Sequence, residues 1–271
     1  MNSRKIKDTI IKVFIYISVI IACSSIIGII GYSLFKGLPA LSIDFIIGDD
    51  GILPMIVSTL YTVAISLAVS IPIGIMAAIY LQEYAKPGRF VNIIRLATQS
   101  LSGVPSIVFG LFGLAFFVRL LGFQVSLLSA GLTLAVMNLP VIIRSTEEAL
   151  KSVPNSYREG SLGLGASKIR TIWRVVLPSA LPGILSATIL AIGRIVGESA
   201  PVLMTAGLLS DMPSGIFDGG QTLTVHLYLL AQEAFTAADF EAAFATATVL
   251  IIIVLIVNIT ARLIVRALKR T

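Results

Sequence analysis

"VFIYISVIIACSSIIGIIGYSLF", residues 13–35, runs for 23 residues without a charged side chain. A helix needs about 20 apolar residues to cross a hydrocarbon core, so this stretch alone is long enough to span a membrane. Its apolar residues are continuous, as they are in "ATVLIIIVLIVNITA" at 247–261, and show no period of two. Membrane strands would alternate over segments of about ten residues. Within lipid a single segment satisfies its own backbone N–H and C=O groups only as helix. Moving outward along the chain, the intervals 51–82, 96–118, 120–143, 175–210 and 242–261 read the same way, and Arg194 and Glu198 are the only charges inside them. The reading is an all-α integral membrane chain with six transmembrane helices. In 271 residues, 56% are hydrophobic and 13% charged, against about 25% charged in an ordinary soluble domain, which excludes a freely soluble enzyme.

The charges are sorted by position. Seventeen of the 20 Lys and Arg residues fall in Arg4–Lys12, Lys86–Arg95, Arg144–Arg174 and Arg262–Arg270, which are alternate ends of the six spans. The opposite ends hold Lys36 and Arg119 with eight acids: Asp44, Asp49, Asp50, Asp211, Asp218, Glu233, Asp239 and Glu241. By the positive-inside rule both termini are expected in the cytoplasm, and the net charge of +6 requires no nucleic-acid partner.

Cys23, after a basic N-terminal region, faintly resembles a lipoprotein cleavage site. The apolar run continues twelve residues past it, so the expected reading is a membrane helix with an incidental buried thiol. A single cysteine supports neither a disulfide framework nor a Cys-based metal site, and His226, without Cys or His neighbours, reads as an ordinary loop residue. No metal site and no cofactor are expected.

"KGLPALSIDFIIGDDGILP" (36–54) is an outer loop rich in helix-ending residues, so residues 1–53 form an N-terminal helix with its loop and 54–266 a second unit. "QEYAKPGRF" is a cytoplasmic turn and "RLLGFQ" an outer one. In the outer segment 207–233, "LTVHLYLLAQEAF" reads as a short surface or re-entrant helix. The cytoplasmic segment from Arg144 to Arg174 is polar yet patterned, with Pro154 and two glycines punctuating two short helices.

That segment leads into "YREGSLGLGASKIRTIWRVVLPSALPG". Gly160 and Gly165 have P-loop spacing, but Ala166 and Ser167 follow where a P-loop needs lysine and a hydroxyl, so no nucleotide site is read here. Glu159, Gly165 six residues on, Val175 ten further, then Leu177 and Pro178 resemble the EAA loop of ATP-binding-cassette importer permeases, E-A-A-x-x-x-G-x(9)-I-x-L-P. Gly160 and Ser161 replace both alanines and Val175 the isoleucine. Gly165 is suited to a sharp turn between two helices. Trp173, Ile169 and Ile172 offer an apolar ridge flanked by Lys168, Arg170 and Arg174, a knob for a groove in a soluble partner. The competing reading makes the same residues interfacial anchors, with Trp173 at the headgroups and the cations against anionic lipid.

"GVPSIVFGLFG" (103–113), "LPVIIRSTEEALKSVP" (139–154) and "GRIVGESAPVL" (193–203) together resemble permeases of the bacterial phosphate-specific transport system, PstA-type rather than PstC-type through Glu198-Ser199-Ala200-Pro201. The resemblance is strong over about 52–205. It implies the type I ABC importer permease fold with its coupling loop at about 147–178. It also implies a heterodimer with a PstC-type partner permease, two ATP-binding subunits, an extracytoplasmic phosphate-binding protein, and inorganic phosphate as cargo. The location implied is the cytoplasmic membrane of a bacterium or archaeon, and the chain itself would be non-catalytic. Coupling to the ATPases would rest on Glu159, Gly165, Lys168, Trp173 and Pro178.

Chemistry at the same residues can be read independently. Arg194 and Glu198 lie inside the fifth span, 20 residues and more beyond Arg174, where a charge is costly unless paired or beside water. Their i, i+4 spacing puts them on one helix face. One reading is a structural pair that neutralises itself. The other assigns Arg194 to the anion, since a guanidinium fork fits two phosphate oxygens, with Glu198 holding it. Pro201 lacks the N–H that would bond the Gly197 carbonyl, so the helix should bend or open there. Gly193 and Gly197 form a small face for a close helix approach, and the three residues together suit a gate. Pro105 interrupts the third span, where Ser102, Gly103 and Ser106 surround either an anion-facing half-helix or a simple kink with hydroxyls bonded back. Arg144 is a positive-inside anchor or lines the cytoplasmic mouth. On hydropathy alone a self-sufficient secondary transporter also stands, and arginine chemistry does not separate phosphate from sulfate or molybdate.

Overall fold

The computed structural model describes the backbone of residues 2–268 and the side chains of residues 7–263. The cations Arg4, Lys5, Arg266, Lys269 and Arg270 of the sequence reading lie outside the described side chains. The described residues form no strand, and twelve α-helices follow one another. They are α1 (Asn2–Gly37), α2 (Ile43–Ile47), α3 (Leu53–Ile79), α4 (Arg89–Ser102), α5 (Ser106–Gly113), α6 (Leu127–Lys151), α7 (Asn155–Gly163), α8 (Lys168–Thr171), α9 (Leu177–Gly197), α10 (Ala200–Thr205), α11 (Leu223–Glu233) and α12 (Ala237–Leu268). Wider, π-helical turns continue α3 over Tyr80–Tyr84 and α5 over Leu114–Leu120, and join α8 to α9 over Ile172–Val176.

Five stretches are long and apolar enough to cross a membrane: Lys7–Ala40, Leu53–Tyr84, Leu127–Lys151, Lys168–Gly197 and Ala237–Leu263. The sixth expected span, 96–118, is not one straight helix. Arg89–Ser102 and Ser106–Leu120 meet at 102°, and they make a sixth crossing only when counted together. The fifteen residues of Ser106–Leu120 rise about 22 Å as α-helix, short of a core of about 30 Å. The cause is local. Pro105 has no N–H for the Leu101 carbonyl, and α4 closes instead with the tighter bonds Gly103 N–H to Ser100 O (3.0 Å) and Val104 N–H to Leu101 O (3.1 Å).

α3 and α6 form the spine. Ser58, Thr62, Ser66, Ser70, Gly74 and Ala78 recur every fourth residue on α3 and are all buried. Small side chains let two helix backbones approach. A Cβ on Gly131 of α6 would come within 2.6 Å of Ile65, and one on Gly74 within 2.6 Å of Ile142, so the two helices run parallel and in close contact. Thr59, Thr62 and Ser70 return their hydroxyls to Met55, Ser58 and Ser66 carbonyls at 2.6–2.7 Å, which removes the cost of burying them. α9 runs antiparallel to α6: at the basic end Ile172, Val176, Ala180 and Ile184 pack with Ala78, Ile79, Ala149, Leu150 and Val153. Farther along, Ile195 packs with Met137, Phe109 and Val202. At the acidic end Ile52, Met55, Leu223 and Val249 close the bundle.

α1 stands apart, held to α12 where Gly37 meets the Phe244 carbonyl and where the Thr248 hydroxyl donates to Ser33 O at 3.2 Å. From Lys7 to Tyr32 its residues are exposed, Cys23 among them, so the thiol is not buried as expected. The 36–54 loop contains a helix that the sequence reading did not name, α2, capped by Ser42 accepting from the Phe45 N–H at 3.0 Å.

Candidate translocation and coupling site

α9 ends at Gly197 and α10 begins at Ala200. The opening expected near Pro201 is therefore a full break. Pro201 starts the second helix, where its missing N–H is no loss. Glu198 is extended, with φ −83° and ψ 127°, so it is not on a common helix face with Arg194, as the i, i+4 spacing had suggested. The side chains still meet: Arg194 Nε stands 3.5 Å from Glu198 Oε1, with 38% and 17% of the two side chains exposed. The carbonyls freed at the end of α9 find partners. Ile195 O accepts from the Glu198 N–H, and Val196 O accepts from the Thr224 hydroxyl of α11.

Gly193 and Gly197 do not carry a helix contact among the described residues. A Cβ added at either would meet nothing within 4 Å. The close approach at this depth is made by Gly110 of α5, whose added Cβ would lie 3.0 Å from Pro201 Cα and 3.3 Å from Ala200 O. Gly193, Gly197, Arg194 and the exposed Leu190 thus mark an open face.

At the other break, the Ser102 hydroxyl donates back to Thr98 O at 3.1 Å and is used inside α4. Ser106 is the first residue of α5, half-buried, behind Pro105, and no side chain caps that helix. Val104 beside this break packs on the cluster that contains Ile195 and Val202, so both breaks adjoin one apolar core.

Arg144 lies on α6 near its basic end, exposed and paired with Glu148 at 3.2 Å. It lines a cavity of about 520 Å³ together with Arg95, Glu147, Glu148, Lys151 and Gln99. Arg95 reaches from α4 to Glu147 at 3.0 Å and holds the bent helix against α6.

The segment expected to couple to the ATPases is a helix–turn–helix. Gly165 between α7 and α8 has φ +82°, the left-handed conformation that glycine adopts without cost. Ser161 and Thr171 hydroxyls bond across the turn at 2.9 Å. Glu159 is exposed on α7, Trp173 is 57% exposed, and Pro178 is exposed in the first turn of α9. Ile169 is exposed as expected, but Ile172 is buried in the core beneath and belongs to no docking ridge. Leu164 is 91% exposed at the tip of the turn. The Lys168 ammonium sits 4.9 Å from the centre of the Tyr84 ring, a cation–π contact to the end of α3.

Two arrangements were missed in the sequence. Arg158 is half-buried against Glu83, and no spacing rule links positions 75 residues apart. His226 belongs to helix α11 rather than a loop, its Nδ1 is 3.2 Å from Gln221 Oε1, and burial lowers its pKa.

Residues 70–270 match the family described as binding-protein-dependent transport system inner membrane component. The chain is 34% identical to the probable ABC transporter permease protein YqgI of Bacillus subtilis, covering 96% of this chain and 95% of that one. It is 33% identical to the phosphate transport system permease protein PstA of Mycobacterium leprae, covering 94% and 88%. The fold matches that of a bacterial alginate ABC transporter solved with an alginate-bound periplasmic protein, with a TM-score of 0.74 at 13% identity over 98% of this chain and 96% of that one. These matches make the chain a member of the binding-protein-dependent ABC importer permeases, with PstA-type phosphate permeases among its relatives.

Proposed function

We propose that this chain is the PstA-type half of an ATP-driven inorganic phosphate importer. A PstC-type permease completes the path, two ATP-binding subunits bind the basic end, and a phosphate-binding protein delivers cargo at the acidic end. Residues 1–53 are an accessory helix with its outer loop, and 54–266 the permease domain. The basic ends of the spans, both termini included, face the cytoplasm of a bacterial or archaeal cell. The chain hydrolyses nothing itself.

One observation carries this reading: Arg194 and Glu198 meet at a helix break on a face that the chain leaves open. A guanidinium there has room for an anion, and Glu198 beside it fixes the orientation of the fork. The bare Gly193 and Gly197 beside it admit the partner permease, so the anion would pass between two chains. Phosphate is chosen over other oxyanions through the named relatives. Ser106 and Arg144 are assigned to the same path, Ser106 at the neighbouring break and Arg144 at the cytoplasmic mouth. Ser102, bonded back to Thr98, contributes to the bend instead of the path.

Co-purification of the chain from its native membrane, followed by uptake assays in proteoliposomes, tests the proposal. Recovery of a second permease and ATPase subunits, with ATP-dependent uptake of labelled phosphate exceeding that of sulfate and molybdate, is expected. Uptake without any ATPase subunit, or a preference for another oxyanion, would overturn it.

A further inference from the structure

The guanidinium of Arg158 is the most heavily bonded cation among the described side chains. Its Nη2 donates to Glu83 Oε1 at 2.7 Å and to Leu150 O at 2.8 Å. Its Nε lies 3.2 and 3.3 Å from the two Glu83 oxygens. Its Nη1 donates to Val153 O at 2.8 Å and to Asn155 Oδ1 at 3.3 Å. Three elements are joined at this one side chain. Glu83 belongs to the π-helical end of span α3, Leu150 lies in the last turn of α6 with Val153 just beyond it, and Arg158 itself is on the coupling helix α7. The Leu150 carbonyl, in the last turn of α6, also accepts from the Val153 N–H at 3.3 Å, and Arg158 adds the shorter of the two bonds.

We propose that Arg158 is a positioning residue for energy coupling, latching the α7–α8 loop to the end of span α3 so that a displacement of the loop moves that span. This rests on the reading of the loop as the ATPase docking element. The pair is nearly enclosed, with 17% of Arg158 and 8% of Glu83 exposed, and is screened much less than an exposed pair. A planar fork on a carboxylate fixes orientation as well as distance, which a point charge or an apolar contact does not. Lys168 on Tyr84 grips the same five-residue π-helical turn from the other side of the loop. The Ser161–Thr171 bond makes α7 and α8 one body, so the two grips act together. A buried ion pair is weak evidence for stability, since apolar packing of similar volume often does as well. Its geometry at the joint between loop and span is the part that apolar packing does not supply.

The test uses the complex reconstituted with its partner permease and ATPase subunits in proteoliposomes, measuring retained ATPase subunits and phosphate moved per ATP hydrolysed. Arg158→Lys and Glu83→Gln should keep the ATPase subunits and hydrolyse ATP, while phosphate moved per ATP falls about tenfold, the effect expected from losing one charge-assisted hydrogen bond. In a Cys23→Ala background, Glu83→Cys with Arg158→Cys bridged by a bis-methanethiosulfonate reagent should regain the ratio, then lose it on reduction. A purely structural pair would show no such reversible change within one assembled complex. An unchanged ratio in the single variants, or equal ratios in bridged and reduced forms, would overturn the latch alone. Loss of assembled complex in both single variants would overturn it too, because the pair would then be a stability element. Absence of ATPase subunits from the wild-type complex would overturn the docking reading and the latch with it.

Discussion

Arg194 Nε and Glu198 Oε1 meet at 3.5 Å across the end of helix α9, with Arg194 in its last turn and Glu198 the first residue beyond it. A cation in the last turn of a helix is favoured by the macrodipole. The unfavourable order of Arg before Glu on a continuous helix therefore does not apply, because the helix stops between them. The pair ties an ordered turn to an extended segment.

Replacing Arg194 by lysine keeps the charge and removes the fork. If Arg194 reads phosphate, Arg194→Lys should lower uptake by about tenfold or more, matching the loss of one charge-assisted hydrogen bond of about 1.5 kcal/mol. The double replacement Arg194→Met with Glu198→Gln should give an assembled complex that hydrolyses ATP and moves no phosphate. Near-normal uptake by that double variant in vesicles would remove Arg194 from the path.

Two glycines of α9 separate contacts within the chain from contacts with a partner. A Cβ on Gly183 would lie 2.7 Å from the Ala149 Cβ, whereas one on Gly193 would meet nothing. Gly183→Leu should therefore lower the chain's own stability by about 1–3 kcal/mol through overpacking. Gly193→Leu should leave the isolated chain as stable as wild type and prevent pairing with the second permease. Thermal unfolding in detergent and pull-down of the partner distinguish the two, and normal pairing by Gly193→Leu would exclude that face as the interface.

Hydropathy made most of this fold legible, because uncharged runs of 20 or more residues have no alternative to helix in lipid. It failed at 96–118, where α4 is amphipathic and only α5 continues apolar; Pro105 made a local break visible, but the 102° angle between the two helices and the seating of α4 on α6 through Arg95 and Glu147 belong to the tertiary packing. Gly165 was readable because a motif fixes its turn, and Pro201 because a missing N–H acts locally. Arg158 with Glu83 was not readable. Each has an ordinary place in a charged cytoplasmic segment, and only the packing of α3, α6 and α7 brings them together. Gly193 and Gly197 meet no helix among the described residues, since small-residue spacing identifies a face without identifying its occupant.

The charge distribution fixes a testable orientation. Ser152 at the end of α6 and Asp211 beyond α10 are both exposed and lie at opposite ends of the bundle. In a Cys23→Ala background, Ser152→Cys should react with a membrane-impermeant maleimide only from the cytoplasmic side, and Asp211→Cys only from the outside. Reaction of both from one side would contradict the proposed topology.

Gly165 supplies a graded test of the coupling loop, because its cost on substitution is conformational alone. Its φ is +82° and an added Cβ would meet no atom within 4 Å, so no clash complicates the series. Asparagine visits the left-handed region most readily among the other residues, alanine at about 1–2 kcal/mol, and a β-branched side chain with the greatest difficulty. ATP-driven uptake should fall in the order Gly165→Asn, Gly165→Ala, Gly165→Val, with Gly165→Val close to inactive while the protein remains inserted. The Ser161–Thr171 bond and the core beneath Ile172 hold α7 and α8 independently of the turn, so the strain is expected to move the exposed tip at Leu164 before it unfolds either helix. Binding of ATPase subunits should weaken in the same order. Uptake and ATPase binding that are both indifferent to the series would exclude the turn as the docking element.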